Sequence, residues 1–388
     1  MREATVHAFR TVLEQKIRER QQTLEEFVEY AEHFARENDE SGTLSLRHLQ
    51  RLVSGRGPGG KPLGPVRAAT ARLLERIFDM SIGELLTEPS QPAPTEAPDA
   101  ELRQRIRTSN RIDDGVLDLL QDQLTALRRL DRQLGAVVAH EEVRAKTSQV
   151  QQLFDHSLTG GVRKRLAVLL SELRALAGWQ ALDLGKAKDA WHHYEHAKAA
   201  ARESDSISHA AHAEAEQAFV LLDIHETAKA VDLLTAIRER ASSKCPPRLR
   251  SWLAAAHGEV LAANDQRDSS LRSFDTAAEA LSANVRDEVG PYIALNDVHL
   301  ARWRGHALAR FAVADAVDTL TNALARLEPT FKRAETSLRV DLAAAFQATG
   351  EPEPAREQLD QAQCLAGSIG SARQHRRIER LRARANLL

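Results

Sequence analysis

The sequence predicts an all-α protein in which a small N-terminal helical domain is followed by a long stack of helical hairpins. Three observations support this fold class. Alanine, leucine, arginine and glutamate recur throughout, while aromatic residues make up only 4% of the chain, and this composition favours helices over strands. Apolar residues recur three and four positions apart over most of the length, which is the helical period. In the C-terminal part, a pattern of small and apolar residues returns about every 40 residues, as it does in helical repeat proteins.

Composition narrows the class of protein. The chain has 388 residues, enough for two or more domains, and its net charge of −2 provides no global field that would draw it onto nucleic acid. Cys245 and Cys364 are far apart, so no disulfide framework or zinc ribbon is encoded. We see neither the apolar core of a signal peptide nor a run of about eighteen apolar residues. We therefore expect a cytoplasmic protein without membrane contact.

A proline-rich segment divides the chain. Residues 87–100, TEPSQPAPTEAPDA, contain four of the 13 prolines and no large apolar side chain, as is typical of an extended linker. The predicted organisation is a small helical domain over 1–88, a linker over 89–100 and a repeat domain over 101–388. Residues 371–388 would form its closing helix.

Four helices are predicted before the linker, the last of them over PVRAATARLLERIF, residues 65–78. The first two span 4–19 and 23–36, and Thr23 with Glu26 forms a capping box for the second. In the third, LSLRHLQRLVSG, Ser45 is the predicted N-cap and Gly55 ends the helix, because these residue types favour those positions. Its leucines fall on one face at helical spacing.

The opposite face of this third helix presents Arg47, His48, Gln50 and Arg51. Arginine can bond guanine, and glutamine can bond adenine, through two hydrogen bonds. An ordinary solvated face is the alternative interpretation. Local charge favours the interpretation as a DNA-contacting face, because residues 43–76 contain only one acidic residue, Glu75, against seven basic residues. These are Arg47, Arg51, Arg56, Lys61, Arg67, Arg72 and Arg76.

The stretch GRGPGGK, from Gly55 to Lys61, matches the G-x-x-x-x-G-K spacing of a phosphate-binding loop. Such a loop follows a buried strand and carries a hydroxyl that binds magnesium. Here an amphipathic helix precedes it, and Pro62 stands where the hydroxyl should be. We therefore interpret it as a loop whose cations contact a DNA backbone.

The segment GTLSLRHLQRLVSGR…PLGPVRAATARLLERIFDMSIGELL resembles the lambda-repressor-like (XRE-type) helix-turn-helix domain of regulators common in high-GC filamentous bacteria. The resemblance is carried by Ser45, Gly55, Leu74-Glu75, Phe78 and the closing run from Ser81 to Leu86. It implies base contacts from Arg47, His48, Gln50 and Arg51, and phosphate contacts from Ser45, Arg56, Lys61 and Arg67. One departure is that residues 23–43 are longer than the compact pattern.

The C-terminal part is predicted to be helical throughout, beginning with one helix over 113–143. Five hairpins then follow, each with a small residue at an equivalent point of its second helix; these residues are Ala190, Ala230, Ser270, Ala316 and Ala355. Small residues at fixed offsets let two helices approach closely. The pattern resembles tetratricopeptide (TPR) repeats, with a period of about 40 residues where 34 is usual. The resemblance implies a right-handed α-solenoid, and an unspecific helical bundle is the alternative.

The inner groove of such a solenoid binds a peptide or a small molecule. In a chain with few aromatic residues, Trp179, Tyr194, Trp252 and Trp303 are the candidate ligand anchors, although each could equally be a core residue. The arginine-rich closing helix is expected to present a polar outer face as a terminal cap; nucleic-acid contact is the alternative.

Other constellations carry no chemistry that we recognise. His192 and His196 have a spacing that can bind a metal, but the intervening Tyr194 is the expected packing residue and no H-E-x-x-H glutamate is present. No nucleophile motif or carboxylate pair stands in a catalytic frame. We therefore expect no enzyme activity, no cofactor and no metal.

Together these observations predict a bacterial transcriptional regulator that binds double-stranded DNA. Its repeat domain would sense a peptide or small-molecule effector and support a homodimer. The alternative is a TPR scaffold that binds protein partners without recognising a DNA sequence.

Overall fold

The structure is a computed structural model that describes residues 9–20, 22–38, 40–57, 61–89, 98–158, 160–241, 243–282 and 290–385. The chain divides into two compact units, residues 1–102 and 103–388, which we treat separately. Within the described ranges the regular elements are all α-helices. None of them is long and apolar enough to cross a membrane.

Unit 1 contains five short helices, α1 to α5, before the proline-rich segment 87–100. Their bounds are Val12–Glu19, Leu24–Glu37, Leu46–Ser54, Ala68–Phe78 and Ile82–Leu85. A sixth helix, α6 (Pro98–Ser109), begins inside the segment predicted as linker, and residues 90–97 lie outside the described part. The first helix begins later than predicted, at Val12, with residues 1–8 also undescribed.

Side-chain caps and a leucine core fix the geometry of unit 1. The predicted capping box is present, with the Thr23 amide donating to Glu26 Oε2 at 2.7 Å. Every helix from α1 to α5 buries apolar side chains on one face, and the most buried of these meet in one cluster. Its fully buried members include Leu13, Ile17, Phe27, Leu49, Leu52, Leu74 and Leu85. This packing holds α3 in place by its leucines.

Unit 2 is built from antiparallel helical pairs. The pairs are α7 (Asp114–Leu134) with α8 (Ala136–Asp155), α9 (Gly160–Asp183) with α10 (Ala187–Glu203), α11 (Ile207–Asp223) with α12 (Thr227–Ala241), α13 (Pro247–Ala263) with α14 (Arg267–Ser282), α15 (Asp297–Arg310) with α16 (Asp315–Arg326), and α17 (Lys332–Ala348) with α18 (Pro352–Ile369). A last helix, α19 (Ala372–Ala385), follows them.

The pairs form a TPR-like array with two layers. The first helix of each pair packs against the first helix of the next pair, which makes an inner layer. The second helices cover it from outside. The predicted small residues Ala190, Ala230, Ser270, Ala316 and Ala355 are all buried where the two helices of a pair meet. The repeat prediction is therefore confirmed, and it extends to one further pair, α7 with α8.

That additional pair corrects the predicted single helix over 113–143. The helix is interrupted at Gly135, where φ is 80° and ψ is 177°, a conformation available essentially only to glycine. The interruption turns the chain back and produces two antiparallel helices. Periodicity missed it because leucines continue at helical spacing up to Leu134.

The two ends of the array contact each other. Helix α17 packs on α7, α18 packs on α7 and α8, and α19 packs on α9. Arg333 bridges Asp131 and Asp183 at 2.7 and 3.0 Å, and the Ser371 hydroxyl donates to Asp183 at 2.6 Å. These contacts join the inner layer into a closed wall.

Close helix approach inside the pairs depends on glycine. A Cβ added at Gly258 would lie 2.8 Å from the Phe274 ring, closer than packed atoms allow. We expect Gly258→Ala to lower the free energy of unfolding by about 1–3 kcal/mol, because an overpacked core must shift. Gly367→Ala is the matched control, since its Cβ meets nothing within 4 Å. Urea denaturation followed by tryptophan fluorescence would measure both, and equal stability of the two variants would contradict the packing described here.

Candidate functional site

Two features could bind a ligand: the polar face of α3 in unit 1 and a cavity in unit 2. Helix α3 is capped at both ends as predicted. The Ser45 hydroxyl accepts from the His48 amide at 3.3 Å, and Gly55 ends the helix with φ at 65°. Leu49, Leu52 and Val53 are buried below it.

The predicted base-contacting side chains lie on the other face of α3. Arg47 and Gln50 are exposed, whereas His48 and Arg51 are half-buried. Neither arginine forms an ion pair with a described residue, so no carboxylate of the described chain occupies their guanidinium donors. The face can therefore donate hydrogen bonds to acceptors on base edges.

The loop after α3 continues this basic surface. Arg56, Lys61 and Arg67 are exposed and form no ion pair within the described part of unit 1. The Gly57 amide donates to the Lys61 carbonyl at 2.7 Å, which closes the loop, although residues 58–60 themselves lie outside the described ranges. Arg76 differs from the other basic residues of this segment, because it pairs with Glu40 at 2.5 Å.

The cavity lies inside the inner layer of unit 2 and has a volume of about 490 Å³. Helices α7, α9, α11, α13, α15, α17 and α19 all contribute to its wall. The wall contains five carboxylates and nine arginines. The arginines are Arg128, Arg132, Arg302, Arg310, Arg333, Arg373, Arg376, Arg377 and Arg380.

Three of the four predicted anchors line this cavity. Trp179, Trp252 and Trp303 surround Phe219 with ring centroids 5.9 to 6.5 Å from it, in the edge-on arrangement that aromatic rings favour. Tyr194 lies elsewhere. It is fully buried against Gly178 in its helical pair, because the repeat needs a large side chain at that point to fill the space between the two helices.

Most wall carboxylates are already bound by arginine. Arg128 contacts Glu172 at 2.9 Å, and Arg376 contacts Asp223 at 2.9 Å. Burial opposes the ionisation of Glu172, but Arg128, His209 and the Tyr292 amide together more than offset it, so the pKa of Glu172 is lowered. Each such pair cancels one positive charge of the wall.

Glu216 is different, because no arginine of the described chain forms an ion pair with it. The Tyr194 hydroxyl donates to it at 3.2 Å, but burial dominates and raises its pKa to about 7. Burial likewise lowers the pKa of the neighbouring His212 to about 3. Near neutral pH His212 is therefore uncharged, and Glu216 neutralises the wall only in part.

Four of the nine wall arginines, Arg132, Arg302, Arg310 and Arg380, form no ion pair among the residues that the structure describes. Two of them, Arg302 and Arg132, are also less than fully hydrogen-bonded. Arg302 forms no ion pair there, its Nε has no hydrogen-bond partner, and burial lowers its pKa. Arg132 Nε is also unpartnered; its guanidinium donates to Tyr292 Oη at 2.5 Å and stacks 4.8 Å from the centre of the Phe331 ring. Sequence reasoning missed both residues, although Arg302 stands directly before a predicted groove tryptophan.

Four of the six arginines of α19 line the cavity, which corrects in part the predicted outward polar cap. Arg373, Arg376, Arg377 and Arg380 all line the wall. Arg377 binds the buried Asp341, which fixes this helix against α17. The reason is that α19 packs on the first helices α17 and α9 as well as on its neighbour α18, and so part of its surface lies along the inner layer.

The predicted histidine pair lies outside this wall. His192 and His196 line a second cavity of about 560 Å³, together with His140 and His193. Burial, with Arg174 nearby, lowers the pKa of His193 to about 4. Among the described residues, no group of three or more His, Cys, Asp or Glu side chains is placed to hold a metal ion.

Comparison with known proteins gives limited similarity. No family model and no curated protein matches the chain. A putative kinesin light chain of Podosopora anserina with nearly identical TPR-like repeats is 17% identical, covers 50% of this chain and 94% of its own, and has a TM-score of 0.34. A variant of that same kinesin light chain is 16% identical, covers 51% of this chain and 94% of its own, and has the same TM-score. At these TM-scores the repeat assignment rests on the helix packing described above.

Proposed function

We propose that the protein is an XRE-type, DNA-binding transcriptional regulator whose TPR-like unit receives an effector. The observation that carries this proposal is the arrangement of α3. Leu49 and Leu52 are buried on one face, while Arg47, Gln50 and the half-buried Arg51 lie on the other, and neither arginine forms an ion pair with a described residue. A basic helix anchored from below is suited to the major groove of a duplex. The exposed cations of the following loop would contact phosphates.

The proposal separates two kinds of contact. We expect Arg51→Ala to weaken binding of the preferred duplex by about 1–3 kcal/mol and to relax one base position, because arginine reads guanine. Lys61→Ala should weaken binding of every duplex alike and reduce the salt slope by about one, because it removes a phosphate contact. The preferred duplex would come from selection out of a random library with the full chain, and titrations at several salt concentrations would then measure both variants.

Arg36→Ala is the control, since Arg36 is exposed on the acidic helix α2 and should not contact the duplex. Binding by Arg51→Ala and Lys61→Ala that equals the binding of this control would show that the roles are wrongly assigned.

A protein-binding scaffold is the second candidate, and the TPR-like array favours it, because stacked helical pairs form extended binding surfaces. The library selection separates the two functions. A scaffold would enrich no sequence, whereas a regulator would enrich one motif. A motif with two half-sites would further support the homodimer that we propose, and sedimentation of the complex would count the chains.

Effector binding in unit 2 would regulate DNA affinity only if the effector binds the two functional states with different affinities. Titration of DNA with and without effector measures that difference directly.

A further inference from the structure

The unit 2 cavity has the dimensions of a small-molecule site. Its volume of about 490 Å³ falls within the range of about 300–1,000 Å³ seen for such sites. The contacts of α17 and α18 with α7 and α8 close the wall, and this closure limits the length of a ligand that can lie in the cavity. A compact molecule fits this space better than a long extended peptide.

The wall carries positive charge that the described residues do not neutralise. Glu259 and Asp341 lie near Arg302, but Glu259 is bound to His306 at 2.7 Å and Asp341 is bound to Arg377. Arg302 is thus left without a direct counterion; its side chain is half-buried with a fully buried Nε, and this burial lowers its pKa. A buried cation in this condition is unfavourable, and an anion placed beside it would offset the loss of solvation.

Three residues that carry an unpartnered polar atom line the same cavity as the aromatic side chains. Arg302 Nε, Arg132 Nε and His209 Nε2 are buried and have no hydrogen-bond partner in the described part of the chain, although buried polar atoms are normally paired. The ring centroids of Trp252 and Trp303 lie 6.3 Å apart, and Arg302 Cζ lies 5.9 Å from the centre of the Trp303 ring. An anionic group and a flat apolar group could therefore be bound side by side.

We propose that the unit 2 cavity binds a small organic anion, with its carboxylate or phosphate beside Arg302 and Arg132 and a flat apolar group against Trp252 and Trp303. The inference names the ligand class for the effector site and so rests on the proposed function for its biological meaning. The binding chemistry itself does not depend on DNA.

Calorimetric titration of the full chain tests the charge requirement. The probes are benzoate, phenyl phosphate, 1-naphthyl phosphate and adenosine monophosphate, each paired with its neutral counterpart: benzamide, phenol, 1-naphthol and adenosine. At least one anion should bind about tenfold more tightly than its counterpart, because a charged hydrogen bond contributes about that much. The carboxylate and phosphate members distinguish the two anionic groups. If no anion exceeds its neutral counterpart, the proposal is overturned.

Inorganic phosphate alone tests the aromatic part of the site. It should bind at least about tenfold more weakly than the best aromatic anion, because it cannot bury a flat group against the tryptophans. Equal binding would show that the tryptophans contribute nothing and would overturn that part of the proposal.

Two substitutions locate the site. Arg302→Gln and Arg132→Gln should each weaken binding of the best anion about tenfold or more, while Arg356→Ala, on the exposed surface of α18, should not change it. Two variants are used so that loss of folding in one leaves the other informative, with circular dichroism as the check. Unchanged affinity in a folded variant of either residue would place the anion elsewhere.

A DNA titration with the same anion separates this inference from the proposed function. Anion binding that depends on Arg302 but leaves DNA affinity unchanged would support the site and contradict its regulatory role. DNA binding to one motif without any anion preference would support the regulator and contradict the ligand class.

Discussion

Arg333→Ala is expected to lower the free energy of unfolding of unit 2 by about 3–5 kcal/mol. Arg333 lies between Asp131 and Asp183, whose side chains are only 4% and 3% exposed. Burial alone would lower the pKa of Arg333, but the two carboxylates more than offset it and the pKa is raised. Removal of the guanidinium would leave two buried carboxylates without a cation, and this is the main source of the loss.

Urea denaturation followed by tryptophan fluorescence measures this loss in unit 2 alone, because all four tryptophans, Trp179, Trp191, Trp252 and Trp303, belong to that unit. Arg326→Ala is the matched control. Arg326 also pairs with an aspartate, Asp297, but both side chains are more than half exposed, so its removal should matter by less than about 1 kcal/mol. Similar losses in the two variants would mean that the Arg333 bridge does not hold the ends together.

Gly135→Ala is expected to lower the free energy of unfolding by about 3 kcal/mol or more. The first contribution is backbone strain of about 1–3 kcal/mol, because alanine disfavours the conformation of Gly135. The second is a collision, since a Cβ there would lie 2.2 Å from the Ile369 carbonyl oxygen. Relief of that collision requires α8 to move away from the end of α18, which opens the contact between the first and last pairs.

Gly350→Ala separates strain from collision. Gly350 has almost the same φ, 79°, but a Cβ there meets nothing within 4 Å. We expect it to lower stability by about 1–2 kcal/mol, the strain contribution alone. Hydrogen exchange should show loss of protection at the ends of α8 and α18 in Gly135→Ala only. Equal effects of the two substitutions would contradict the close contact.

The local structure could be predicted from sequence because its determinants are local. Ser45 and Gly55 bound α3 through interactions with residues one turn away, and the small residues of each hairpin lie at fixed offsets. The closure of unit 2 could not be predicted in the same way. Arg333 and Asp131 are distant in sequence, and nothing near either residue indicates the other.

The candidate sites divide along the same line. The α3 face followed from periodicity and charge within a single helix. The cavity wall takes three to six residues from each of seven helices, so its arginines outside α19 form no motif in sequence. The rarity of aromatic residues in this chain makes Tyr194 a candidate anchor in the sequence, but rarity does not indicate on which side of a helix a residue packs.

The contact between the ends of unit 2 has a consequence for how such a chain can evolve. An open solenoid can gain or lose a terminal repeat, because each repeat depends only on its neighbours. Here the Ile369 backbone must reach Gly135, and Arg333 must reach Asp131. Duplication or deletion of one hairpin would displace one partner from the other, so the number of hairpins is fixed by geometry.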